Sequence, residues 1–94
     1  MVRIEWTERS LEDLNQIHDY IARDSKSYAT LFIKKLYNTV QKLKEFPNMG
    51  RIVPEVNIPS VREIIFQNYR IIYRTMNNFV EIITVFHGSR LLRL

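Results

Sequence analysis

The spacing of hydrophobic positions changes along the chain from two residues to helical spacing and back. Residues 2–6 alternate apolar and charged side chains, which predicts a first strand with one buried face. Apolar residues then recur at helical spacing in two stretches, which predicts helices that run to about Arg23 and Glu45. A polar break at residues 24–27 makes them antiparallel neighbours. The candidate caps are Thr7 or Ser10 for the first helix and Ser25 or Ser27 for the second.

Three β-rich runs fill the second half of the chain, at Val61–Phe66, Tyr69–Thr75 and residues 80–87. The two-residue link Gln67-Asn68 predicts a tight hairpin in which Asn68 takes a positive φ. The second run places Tyr69, Ile71 and Tyr73 on one face and Arg70, Ile72 and Arg74 on the other.

This order of elements predicts an α+β fold. We expect one domain, residues 1–94, in which an N-terminal strand and an antiparallel helical hairpin pack on a small, mostly antiparallel sheet. Pro54 and Pro59 keep residues 52–60 extended or looped. The final leucines of residues 91–94 are expected to pack on the domain or on a partner.

Charge is distributed unevenly along the chain, whose formal net charge is +4. Every basic residue after position 47 is an arginine, and arginine binds phosphate and carboxylate groups well. This pattern is typical either of a basic surface exposed to solvent or of a surface that binds an anionic partner, which can be a nucleic acid or a protein rich in Asp and Glu. The candidate anion-binding residues are Arg51, Arg62, Arg70, Arg74 and Arg90.

Most familiar catalytic and targeting motifs are missing from the sequence. There is no glycine-rich phosphate loop, no nucleophile elbow, no cysteine and no common zinc motif, so we expect neither a metal nor a cofactor. No apolar run approaches the roughly 20 residues that span a membrane, and the N-terminus has no signal-peptide core. We therefore expect a cytoplasmic protein that does not enter a membrane.

One set of residues can support catalysis. Glu55, Arg62, Arg70, His87 and Arg90 fall in the loop, in successive strands and in the tail, where the fold can bring them together. Such a set can cleave RNA, with a 2′-OH attacking the adjacent phosphate, a glutamate or histidine moving the proton and arginines stabilising the charge. Alternatively, the arginines pair with Glu55, Glu63 and Glu81, and the histidine only ends a strand.

Six motifs, in this order, carry a resemblance to a known family. They are D-L-x-x-I-x-x-Y-I at residues 13–21, F-P-x-x-G-R at 46–51, V-P-E at 53–55, V-R-E-I at 61–64, Y-R-I-I-Y at 69–73 and V-F-H-G-S-R at 85–90. Along its whole length the chain resembles the RelE/ParE superfamily of type II toxin–antitoxin toxins. The resemblance implies a small α+β toxin that is encoded beside an antitoxin, which wraps around it and neutralises it.

The superfamily has two activities, and the resemblance leaves both open. RelE-like members cleave mRNA in the ribosomal A site, whereas ParE-like members inhibit DNA gyrase and block replication. The chain is more similar to ParE-like plasmid-stabilisation proteins, because its helical hairpin is long and its V-R-E, Y-R-I-x-Y and H-G-x-R series is typical of them. It departs from RelE in having no lysine after Lys44 and no aromatic residue after Phe86. Resemblance to YoeB-like nucleases instead marks Glu55, Arg70 and His87 as catalytic candidates. In either case we expect an acidic antitoxin to cover the arginines.

Overall fold

The computed structural model describes residues 2–90 and residue 92, and it has the predicted α+β architecture. Its elements are β1 (Arg3–Trp6), α1 (Glu8–Ala22), α2 (Lys26–Gln41), a 3₁₀ turn (Lys42–Lys44), β2 (Arg51–Ile52), β3 (Val61–Phe66), β4 (Tyr69–Thr75) and β5 (Phe79–His87). The five strands form one sheet in the order β1-β5-β4-β3-β2. The β1–β5 pair is parallel and the other pairs are antiparallel, so the sheet is mostly antiparallel as expected. Within the described residues, neither helix is long and apolar enough to cross a membrane.

Hydroxyl side chains begin both helices, because each one accepts a backbone N–H that has no partner inside its helix. Thr7 Oγ1 accepts from the Ser10 amide at 3.0 Å, and Ser25 Oγ accepts from the Tyr28 amide at 3.1 Å. The second helix ends earlier than expected, at Gln41, and the 3₁₀ turn continues from it. This turn carries Leu43 into the core, where it is fully buried.

The main core lies between the helical hairpin and one face of the sheet, which we call the helix face. Its buried members are Ile17, Phe32, Leu36, Val40, Leu43, Ile64, Ile71, Tyr73, Val80, Ile82 and Val85. The helices contribute residues at helical spacing and β4 contributes alternate residues, so both periodicities in the sequence are used here. Tyr69, Ile71 and Tyr73 therefore point to the helix face, as predicted.

A second, smaller cluster covers the opposite face of the sheet, which we call the outer face. Val53, Val61 and Ile72 are buried there. The loop between β2 and β3 folds over this face, and Val56 and Leu92 are among the side chains that pack against the cluster. Part of the tail thus packs on the domain. Leu91, Arg93 and Leu94 lie outside the described residues.

A β-bulge in β5 fixes α1 to the sheet. Tyr73 pairs with Ile82 and Ile72 pairs with Thr84, so Ile83 has no partner on β4. The carbonyl of Ile83 accepts the Thr7 hydroxyl at 2.9 Å. On the other side of the bulge, Asp13 Oδ2 accepts the Thr84 hydroxyl at 2.6 Å and the Val85 amide at 3.0 Å. The bulge removes polar groups from the hydrogen-bond ladder between β4 and β5, and side chains at the start and in the first half of α1 provide their hydrogen-bond partners instead.

Two local features differ from the sequence prediction. Positive φ at the β3–β4 hairpin falls on Gln67 (51°) rather than on Asn68. Asn68 instead offers its carbonyl oxygen to the Gly88 amide at 2.7 Å, which ties the hairpin to the end of β5. The short strand β2 was not predicted, because two residues give no periodicity to read.

Tyr73 provides a test of how the F-P-x-x-G-R turn is held. Its hydroxyl is buried and accepts the Gly50 amide at 2.9 Å. A Cβ on residue 50 would lie only 2.7 Å from that hydroxyl, so the contact requires glycine. We expect Tyr73→Phe to lower the free energy of unfolding by about 1–3 kcal/mol, because the buried amide loses its acceptor. Urea unfolding followed by circular dichroism measures this.

Tyr28→Phe is the matched control, since Tyr28 is exposed and keeps its ring contact with Phe32 in the variant. Equal stability of Tyr73→Phe and the wild-type chain would show that the hydroxyl does not stabilise the turn.

Candidate functional site

The sequence-predicted catalytic residues lie on opposite faces of the sheet. Arg70 pairs across the strands with Phe86 and lies on the outer face, where it meets Glu55. His87 pairs with Tyr69, whose ring packs against Phe32 of α2 on the helix face. The structure therefore brings Glu55 and Arg70 together and separates both from His87.

The bulge explains this separation. Val80 and Ile82 point to the helix face, so strict alternation would place residue 87 on the outer face with Arg70. The extra residue at Ile83 reverses the alternation, so Val85 joins the helix-facing core and Phe86 turns outward. His87 consequently faces α1.

Arg70 is held on the outer face by two carboxylates. Its Nη1 and Nη2 donate to the two oxygens of Glu55 at 2.7 and 2.8 Å, and its Nε donates to Glu63 at 2.6 Å. The guanidinium carbon lies 5.2 Å from the centre of the Phe86 ring. Every nitrogen of the guanidinium thus has a carboxylate partner, which gives the group a fixed position.

Glu63 is the buried centre of this network. It is fully buried, and it accepts from Arg51 Nε with one oxygen and from Arg70 Nε with the other. A buried carboxylate without such partners would be costly, so the two arginines compensate for its removal from water. Sequence reasoning named Glu63 only as an ion-pair partner. The sequence did contain a signal for its burial: Glu63 occupies an outward-facing position of β3, between apolar residues of the same face.

The same hydrogen bonds control the ionisation of Glu55. Donation from Arg70 lowers the pKa of Glu55 to about 2, against the opposing effect of partial burial, and the backbone of Leu92 lowers it further. The pKa of Arg70 is raised in turn, mainly by its bonds to Glu55. A carboxylate with so low a pKa accepts protons poorly at neutral pH. In this conformation Glu55 is therefore suited to hold Arg70 and poorly suited to act as a general base.

Two further arginines on the predicted anion-binding surface also have internal partners. Arg62 donates to the carbonyl oxygen of Gly50 at 2.9 Å, and Arg74 donates to Glu81 at 2.8 Å. Arg51 and Arg74 keep much of their side chains exposed despite these pairs. They remain available to an anionic partner, whereas Arg70 is largely covered.

His87 lies at the end of β5 beside α1. The Ser89 amide donates to its Nδ1 at 3.2 Å, and the Ser89 hydroxyl lies 2.7 Å from the same atom. An amide can only donate, so Nδ1 acts as the acceptor and the neutral ring carries its proton on Nε2. His87 and Arg90 line a cleft with Tyr20, Arg23 and Tyr69. Tyr20 and Arg23 were not predicted, because α1 comes near β5 only through the fold.

No metal site is formed by the described part of the chain. Within residues 2–90 and 92, no group of three or more His, Asp and Glu side chains is placed to hold a metal ion.

Comparison with known proteins places this geometry in a family. A family model described as the ParE toxin of the type II toxin–antitoxin system parDE matches residues 4–92. Toxin RelE2 of Caulobacter vibrioides is 32% identical over 92 residues, which cover 97% of this chain and 100% of that protein. The Y4kP protein of Sinorhizobium fredii is 37% identical over 90 residues, 94% of this chain and 90% of its own.

Solved structures share the fold. A chain from the chromosomal ParDE toxin–antitoxin system of P. aeruginosa matches with a TM-score of 0.78 and 21% identity, covering 93% of this chain and 96% of that one. The YoeB dimer from Staphylococcus aureus matches with a TM-score of 0.57 and 16% identity, covering 88% and 92% of the two chains. At these identities the likeness concerns the fold.

The lowered pKa of Glu55 gives a test by acid unfolding. A carboxylate whose pKa falls on folding stabilises the folded state above its unfolded pKa, near 4.5, and loses this effect as the pH falls towards 2. We expect the wild-type chain to be more stable than Glu55→Gln at pH 6. The difference should shrink between pH 4.5 and pH 2. Urea unfolding at a series of pH values measures it.

Glu45→Gln serves as the control, because Glu45 is exposed and is not one of the partners in the Glu55–Arg70–Glu63 network. A stability difference between wild type and Glu55→Gln that does not change with pH would show that the Arg70–Glu55 pair does not depend on the charge of Glu55.

Proposed function

Because the chain belongs to the ParE toxin family of type II toxin–antitoxin systems, we propose that it arrests growth by inhibiting DNA gyrase and blocking replication when it is free of its antitoxin. The match to the ParE family model over residues 4–92 supports gyrase as the target. A cytoplasmic location is part of this proposal, since gyrase acts there.

The main observation in favour of this function is the separation of the catalytic candidates. Arg70 and Glu55 satisfy each other on the outer face, while His87 faces α1 on the helix face. General acid–base cleavage of RNA needs its proton-transfer groups within hydrogen-bond reach of one phosphate and one 2′-OH. Because the catalytic candidates lie on two opposite faces of the sheet, their arrangement favours a toxin that acts by binding.

The alternative is an mRNA endonuclease that acts at the ribosome. One specific observation favours it, namely the 32% identity to a protein named Toxin RelE2 over nearly the whole chain. The Nε2 of His87 makes no hydrogen bond within the described residues, so it is open to a substrate. In an endonuclease mechanism, Arg70 stabilises the charge on the phosphate after its hydrogen bonds to Glu55 have broken.

Pulse labelling after induced expression without the antitoxin separates the two functions. We expect thymidine incorporation to stop first while methionine incorporation continues, because the proposed target is replication. His87→Gln and Glu55→Gln should retain this effect, since neither residue is catalytic on this account. Growth and both incorporations are followed over the first minutes after induction.

The opposite pattern would establish the endonuclease. In that case methionine incorporation collapses first, and His87→Gln restores growth while the folded structure is retained by circular dichroism.

The antitoxin belongs to the same proposal. Membership of the family implies a cognate antitoxin, and the exposed arginines of the outer face suit an acidic one. Complementary charge would speed association and make it depend on salt. A partly disordered acidic segment that folds across the face would meet this requirement.

We expect the double variant Arg51→Gln/Arg74→Gln to bind the antitoxin several-fold more weakly at low salt and to show a shallower dependence of affinity on salt. The reason is that two exposed charges are lost from the proposed contact surface. Lys34→Gln/Lys35→Gln is the control, since it removes two exposed charges from α2 instead. Titration calorimetry at two salt concentrations measures both, and equal salt dependence of the two variants would contradict the placement on the outer face.

A further inference from the structure

A cleft lies between the second half of α1 and the end of β5. It encloses about 570 Å³, within the range of roughly 300–1,000 Å³ that is usual for small-molecule sites. Its lining includes Tyr20, Arg23, Tyr69, His87, Ser89 and Arg90. We call it the α1–β5 cleft. Most of its lining lies on the helix face, although Phe86, which Arg70 approaches on the outer face, also contributes. Glu55, Arg70 and Glu63 are not part of the lining.

Aromatic rings form part of the wall of the cleft. His87 packs edge-on against Tyr69 with ring centres 5.5 Å apart. Tyr20 and Tyr69 line the same cleft, and burial, together with Tyr20, raises the pKa of Tyr69. Tyr20 is 65% exposed, and a stacking platform for bases requires such an exposed aromatic ring.

Two arginines bring positive charge that no carboxylate in the described part of the chain neutralises. Arg3, Arg51, Arg70 and Arg74 each pair with a carboxylate. Arg23 and Arg90 pair with no carboxylate among residues 2–90 and 92, and Arg23 lies over the Tyr20 ring at 5.7 Å. A guanidinium that is not neutralised and lies beside a ring suits a phosphate attached to a flat group.

Two carboxylates, Asp13 and Asp19, also line the cleft, and neither forms an ion pair with Arg23 or Arg90. Asp13 accepts from the bulge of β5, and Asp19 lies at the exposed rim, 3.4 Å from His18. Nδ1 of His87 accepts from the Ser89 amide, which leaves Nε2 as the ring nitrogen that can donate into the cleft. The cleft thus combines two arginines without a carboxylate partner among the described residues, two carboxylates that contact other groups, one further donor and exposed aromatic surface.

We propose that the α1–β5 cleft binds a nucleotide, with Arg23 and Arg90 on the phosphate and Tyr20, Tyr69 and His87 against the base. A bare phosphate would leave the aromatic wall unused. An acidic peptide would use the arginines but not the rings. Only a ligand that joins an anion to a planar aromatic group matches both parts of the lining.

Binding to the purified full-length chain tests this proposal. The probes are AMP, dAMP, adenosine, inorganic phosphate and a tetraglutamate peptide, followed by amide chemical shifts and titration calorimetry. We expect AMP and dAMP to bind and to shift the amides of His87, Ser89 and Arg90. Adenosine and phosphate should each bind at least tenfold more weakly, since each carries half of the recognised chemistry.

Variants assign the binding to the cleft. Arg23→Gln/Arg90→Gln should weaken AMP at least tenfold, and Tyr20→Ala should weaken it several-fold while leaving the core untouched. Lys34→Gln/Lys35→Gln removes the same charge from α2 and should change the affinity less than twofold. A single-stranded hexanucleotide that binds more tightly than AMP identifies nucleic acid as the source, and equal binding identifies a free nucleotide.

Three results would overturn the proposal. They are no AMP binding at millimolar concentration, phosphate binding as tightly as AMP, and tetraglutamate binding more tightly than AMP. The assay uses no growth arrest and no gyrase, so its failure leaves the proposed function standing, and failure of the proposed function leaves this assay unaffected.

Discussion

The burial of Glu63 determines how the outer face of the sheet is built. A carboxylate in the interior of a 94-residue chain has to be matched by positive charge, and Arg51 and Arg70 provide it. Arg70 reaches further to Glu55, which lies in the loop between β2 and β3. The same arginine thus compensates a buried charge and holds a loop in place. This double role leaves it little freedom to act on a substrate.

A one-residue bulge has a comparable effect on the other face. By reversing the alternation of β5 it turns His87 towards α1, and its unpaired backbone and hydroxyl groups are taken up by Thr7 and Asp13 of the helix. The helix is therefore fixed against the strand at the point where the α1–β5 cleft opens. Because the bulge reverses the alternation of β5, the network lies on the outer face and the cleft mainly on the helix face, and Phe86 contacts both.

The sequence was sufficient for the fold because the fold rests on local periodicities. The two helical stripes, the alternation in β4 and the hairpin all depend on neighbouring residues, and each was found where it was expected. The bulge could not be predicted, since residues 82–86 are apolar apart from Thr84 and carry no period that marks an extra residue. That single extra residue determines whether His87 lies on the same face of the sheet as Arg70. The approach of Glu55 to Arg70 was foreseen, whereas Tyr20 and Arg23 enter the cleft through tertiary packing alone.

The central claim is that this member of the ParE toxin family acts by binding rather than by cleavage. The most direct test is the supercoiling of relaxed plasmid by purified gyrase in the presence of the purified chain. The account predicts that supercoiling is inhibited, and equally so by the wild-type chain and by the double variant Glu55→Gln/His87→Gln. Undiminished supercoiling at a molar excess of the chain, together with cleavage of mRNA on translating ribosomes that the double variant loses, would contradict it.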